Sequence, residues 1–174
     1  MHIDPDQQAL YRRISDFAVD QLLWRILYIN SELEGHANAQ ALADKLMETS
    51  REAQLVIVGM NPSPMAAKLA DDVVRSNELF IAYVKRLKAG KSVEQVHQAW
   101  EQNNRQMADL LQQVIPGQIS WQAMFDHECD LLRKVIEDVN AGKFKTLTDI
   151  TPLLQRLAAD MADYLAYGVL HQHE

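Results

Sequence analysis

The sequence predicts an all-α protein, an antiparallel up-and-down bundle of about six helices built from helical hairpins, folded as a single domain over residues 1–174. Three observations predict it. Apolar residues recur at helical spacing along most of the chain, as in Trp121, Met124, Phe125, Leu132, Val135, Ile136 and Val139. Gly and Pro number only 6 and 5, a scarcity that favours helix over sheet. No alternating apolar and polar run of strand length stands out, while 48% hydrophobic residues in 174 are enough to bury a sizeable core.

The elements follow in order. Asp4-Pro5-Asp6 reads as a helix entry, with an N-cap acid, proline at the first helical position and a second acid at the positive dipole end. Helix 1 then runs to about Glu34 and stops at Gly35, with Leu10, Ile14, Phe17, Ala18, Trp24 and Tyr28 as its stripe. A second helix spans roughly Asn38 to Val58, ends at Gly59 and takes in Leu55-Val56-Ile57-Val58, the most strand-like piece, because those residues continue its helical spacing. Asn61-Pro62-Ser63-Pro64 turns the chain into helix 3, which ends at Ala89-Gly90. Ser92 with Gln95 predicts a capping box for helix 4, and Pro116-Gly117 breaks that helix. Helix 5 begins at Ser120 and stops at Asn140-Ala141-Gly142. Thr146, Thr148 and Thr151-Pro152 offer successive starts for helix 6, with Leu153, Leu154, Leu157, Met161, Tyr164, Leu165 and Gly168 as its face.

The chain also resembles itself. Lys88-Ala89-Gly90-Lys91 is followed by Met107-Ala108-Asp109-Leu110-Leu111, and Asn140-Ala141-Gly142-Lys143 by Met161-Ala162-Asp163-Tyr164-Leu165. Helices 3 and 4 therefore read as a copy of helices 5 and 6, with Leu42-Ala43-Asp44-Lys45-Leu46 as a fainter echo.

Charge and composition narrow the function classes. A formal net charge of -7, with no basic cluster interleaved with aromatics, argues against a nucleic-acid partner. No run of 18 or more apolar residues and no signal-like N-terminus is present, so the expected setting is cytoplasmic, without a membrane partner. Cys129 is the single cysteine, on the apolar stripe of its helix, and reads as a small core residue rather than a nucleophile. Glycine-rich nucleotide loops and serine-nucleophile elbows are missing from the sequence, and Trp24, Trp100 and Trp121 fit their helix stripes as core anchors.

One polar side chain interrupts the apolar face of each of four helices: Gln21, Asn77, Asn103 and His127. In an antiparallel bundle, positions near helix midpoints come to similar heights, so these four are expected to converge in one layer, joined by Thr49 or Ser50. His127, between Met124 and Leu131, should point into the core or to its edge. Such a layer either fixes helix register by mutual hydrogen bonding or holds a small polar ligand. Asp20, Glu78, Asp126 and Glu128 flank it, and helix geometry turns most of them sideways or outward.

No metal ligands and no cofactor are assigned. A di-metal bundle needs two Glu-x-x-His pairs, and only Glu94-Gln95-Val96-His97 fits. The leading expectation is a non-enzymatic protein with a small polar ligand. A metal-dependent bundle enzyme using His127 and nearby carboxylates is the first alternative. A structural or oligomerising module, such as a homodimer, is the second and calls for an exposed apolar helix face.

With these motifs the chain resembles a family of small bacterial all-helical bundle proteins with no settled biochemical function. The likeness rests on Trp24-Arg25 with Ser31, Lys88-Ala89-Gly90 before Trp100 and Asn103, and Trp121, Met124 and His127. It continues through Met161-Ala162-Asp163, Gly168 and Gln172. The resemblance implies a helical-bundle fold, a bacterial origin and no particular reaction. It also implies Glu-His pairs in several helices of relatives, kept here only as Asp126-His127, with Asp20-Gln21 and Ser76-Asn77 in the equivalent places. If those histidines bind metal in relatives, ligands have been lost in this chain.

Overall fold

A computed structural model describes residues 5–60, 63–115 and 119–170. Among these residues the chain forms six helices: α1 (Pro5–Glu34), α2 (Ala39–Met60), α3 (Pro64–Lys88), α4 (Glu94–Val114), α5 (Trp121–Asn140) and α6 (Lys145–Leu170). Each helix packs on the next, and α6 returns to α1, closing a compact all-α bundle. None of the helices is long and apolar enough to cross a membrane. Between α2 and α3, Gln54 donates to Asp71 at 2.7 Å and Lys85 donates to Gln40 at 3.4 Å, so the two helices meet in opposite order, as in a hairpin.

Of the predicted glycine stops, the one at Gly59 fails and the other three are real. Gly35, Gly90 and Gly142 take φ of 74°, 64° and 76°, a region costly for any residue with a Cβ. The residue after each glycine reaches back to close the helix: His36 to the Ser31 carbonyl at 2.8 Å, Lys91 to Arg86 at 2.9 Å and Lys143 to Asp138 at 2.8 Å. The two turns that look like copies in the sequence thus share one hydrogen-bonding pattern, and the turn at Gly35 shares it too.

Helix starts agree less uniformly. Ser63 and Ser120 cap α3 and α5, accepting from the amides of Ala66 at 3.1 Å and Ala123 at 3.2 Å. The capping box at Ser92 does not form. Val93 occupies the cap with helical backbone angles and makes no side-chain cap bond, and Ser92 Oγ lies 3.4 Å from the Glu94 amide. The Ser92 carbonyl is held instead by Arg86 Nε at 2.7 Å. Helix α6 starts before Thr151-Pro152, which then lie inside it. Helix α2 runs past Gly59 to Met60. The expected entry at Asp4, the turn at Asn61-Pro62, the break at Pro116-Gly117 and the match at Gln172 lie outside the described residues.

The two halves of the bundle are packed differently. In one half, Tyr28, Phe80, Tyr83 and Trp100 form an aromatic cluster with ring centroids 5.9 to 6.0 Å apart, surrounded by Leu46, Leu132, Ile136 and Leu154. Burial and the nearby Glu32 carboxylate push the Tyr28 phenol up from its ordinary pKa. In the other half, Met107, Leu111, Trp121 and Phe125 form one smaller cluster and Ile14, Ala162 and Ala166 another, around open space. Trp100 and Trp121 are buried as anchors, while Trp24 is only half-buried. The face of α6 is turned from that expected: Leu154, Ala162 and Ala166 are buried, and Leu153 and Tyr164 are exposed.

Gly168 of α6 lies against Ile115, and a Cβ built there would sit 2.3 Å from Ile115 Cγ2. Helix propensity alone favours alanine at this position by about 1 kcal/mol. The contact reverses the sign, so Gly168→Ala is expected to lower stability by about 1–3 kcal/mol in denaturant titration, with recovery on adding Ile115→Ala.

Candidate functional site

At the level where the two halves meet lies Arg25, a residue that the apolar periodicity of α1 did not flag. Its side chain is 1% exposed, on the same helix face as the core positions Leu22 and Ile29, three and four residues away. A buried guanidinium must find partners for its donors and its charge, and two helices, α3 and α5, supply them. Its Nε donates to Asn77 Oδ1 at 2.9 Å, one terminal nitrogen to Glu128 Oε1 at 3.0 Å and the other to Ser76 Oγ at 3.3 Å. The guanidinium carbon stands 5.3 Å from the centroid of the Phe80 ring, which joins it to the aromatic cluster.

Asn77 extends the network, since its amide donates to Gln21 Oε1 at 3.3 Å and to Ser50 Oγ. Ser50 in turn donates to the Leu46 carbonyl at 3.0 Å. Helices α1, α2, α3 and α5 are therefore tied at one level by side chains alone.

Of the four residues expected to converge, Gln21 and Asn77 meet, with Ser50 beside them. Asn103 is buried but lies elsewhere, donating to the Asp72 carbonyl at 2.8 Å and so fixing α4 to α3. His127 is exposed and does not point into the core. The inward residue is Glu128, one position later, because the buried stripe of α5 runs through Trp121, Phe125, Cys129, Leu132, Val135, Ile136 and Val139. Met124 and Leu131, which suggested His127, are half-buried edges of that stripe. One residue turns a helical side chain by about 100°, enough to exchange the inner and outer places. Among the described residues, no group of three or more His, Cys, Asp or Glu is placed to hold a metal ion.

The open space is a cavity of about 700 Å³ to which all six helices contribute. Its walls are apolar, formed by residues such as Phe17, Val56, Leu69, Val73, Leu111, Trp121, Phe125, Met161 and Leu165. Gln21, Arg25, Thr49, Ser76 and Glu128 line its polar end. Arg13, Asp16, Asp20 and Glu52 line it too, and because they are exposed they mark its mouth, at α1 and α2. The mouth carries three carboxylates and one guanidinium; at the polar end, Arg25 and Glu128 offset each other.

Cys129 is buried in the core, where loss of water pushes its thiol up to about 12, against the smaller opposing effect of Arg133. Compared with models of known families, with curated proteins and with solved structures, the chain matches none.

The buried pair predicts a graded mutational series. Glu128→Ala strands the guanidinium and is expected to cost about 3 kcal/mol, with Glu128→Gln, which keeps an acceptor, costing less. Arg25→Met combined with Glu128→Leu should cost less than Glu128→Ala, while His127→Ala should stay within about 0.5 kcal/mol of wild type. Urea unfolding of the four variants checks the order. Cys129 should resist a disulfide thiol reagent in the native protein at mildly alkaline pH and react once the chain is unfolded, as read by absorbance.

Proposed function

We propose that this protein binds a small amphipathic molecule within the bundle, its apolar body against the walls and one polar group at the Arg25 layer. The observation that carries the reading is the cavity itself. About 700 Å³ lies within the usual range for small-molecule sites, and apolar walls with a few convergent polar groups are their usual chemistry. A protein interior is ordinarily packed to near-crystalline density, so open space of this size costs stability unless something fills it.

The polar layer supports a site as well as a structural tie. Gln21 uses its carbonyl oxygen on Asn77, which leaves its amide hydrogens to face a ligand, and Ser76 accepts from Arg25 with its own hydroxyl hydrogen to spare. Because Glu128 already offsets the charge of Arg25, the layer favours a neutral hydrogen-bonding group over a carboxylate. Carboxylates at the mouth disfavour anions further. Met65, Met107 and Met161 in the walls can adapt to ligand bodies of different shape.

Calorimetric titration with decanol, decylamine and decanoate tests the reading. Decanol or decylamine should bind with a negative heat-capacity change and raise the melting temperature, and decanoate should bind at least tenfold more weakly. Ala162→Phe, which fills the cavity, should abolish binding without lowering stability. If none of the three probes binds the wild-type protein, or if Ala162→Phe binds as well as wild type, the cavity is not the site.

A further inference from the structure

A second surface, on α1, adjoins the cavity only at Asp16 of its mouth. On the outer face of α1, Val19, Leu23 and Leu27 are 59%, 46% and 41% exposed. At about 100° per residue, Arg12, Asp16, Val19, Leu27, Asn30 and Glu34 all fall within about 40° of Leu23, forming one straight stripe along the helix. Its centre is apolar and its ends carry opposite charge. Arg12 and Glu34 are exposed and have no ion-pair partner among the described residues.

We propose that this stripe is a homodimer interface, in which α1 packs against α1 of a second copy, antiparallel, about a two-fold axis at Leu23. A two-fold contact must be self-complementary, each patch meeting its own copy. With Leu23 against Leu23 of the partner subunit, Val19 faces Leu27 of the partner subunit. Asp16 faces Asn30 of the partner subunit, and Arg12 faces Glu34 of the partner subunit, roughly 16 Å from the axis at 1.5 Å rise per residue. The Arg12–Glu34 pairing thus occurs twice per dimer. A parallel pairing in register would set Arg12 against Arg12 and Glu34 against Glu34, so the charge pattern selects the antiparallel arrangement. A single helix pair is a small interface, and the expected association is weak and reversible, in the micromolar range.

Sedimentation of the full chain over a concentration series tests this. Wild type should pass from monomer to dimer as concentration rises. Leu23→Arg, which sets two like charges on the axis, should stay monomeric with unchanged circular dichroism. Arg12→Glu and Glu34→Arg should each weaken the dimer by roughly tenfold, and the double variant, which restores opposite charges across the axis, should recover it. A wild-type protein that stays monomeric throughout overturns the proposal. So does a dimer that survives Leu23→Arg, or a double variant no better than the single ones.

Discussion

A guanidinium taken out of water loses several kcal/mol of hydration, and the loss is tolerable only where donors and charge are answered together. Arg25 is answered by Asn77, Glu128 and Ser76, on α3 and α5, with the Phe80 face below it. Asn77 then holds Gln21 and Ser50. Every one of these positions must be kept at one height along the bundle axis. Apolar stripes tolerate sliding and rotation; a set of directional bonds to one planar group does not.

The same level divides the bundle into a packed half and a hollow one. On the packed side, Phe80 leads from the guanidinium into Tyr28 and Trp100, and the aromatic cluster fills the space between helices. On the hollow side, the residues facing inward include Ala18, Ala53, Ala66, Ala158 and Ala162, too short to meet across the axis, and the cavity follows from them. The polar layer is the end wall of that cavity. The interaction that fixes helix register thus also presents hydrogen-bonding groups to whatever occupies the space, which is why one network serves both structure and the proposed site.

The helical architecture was legible in the sequence because it rests on local signals. Gly35, Gly90 and Gly142 stop helices where their left-handed backbone requires, and Ser63 and Ser120 cap helices at the starts read from the sequence. The site was legible only in part. Gln21, Asn77 and Ser50 stand where polar residues on apolar faces suggested, but the phase of α5 is out by one residue, which put His127 in place of Glu128. A broad apolar stripe defines its centre poorly, and Met124 and Leu131 marked its edge. Arg25, quoted only for the family resemblance, was not read as a site residue because charge ordinarily signals a solvated face. Its spacing from Leu22 and Ile29 was the available signal. The cavity had none, since small residues in a helical stripe read equally as close packing or as space, and only the distances between helices decide.

Arg25 is buried and ion-paired at the junction of the two halves. Nitrogen-15 NMR of the arginine side chains tests it most directly, through hydrogen exchange at Nε. One arginine Nε–H, assigned by its loss in Arg25→Met, should exchange far more slowly than the others and quicken in Glu128→Gln. An Arg25 Nε–H exchanging as fast as those of surface arginines would mean that Arg25 is solvated and does not hold the register of the bundle.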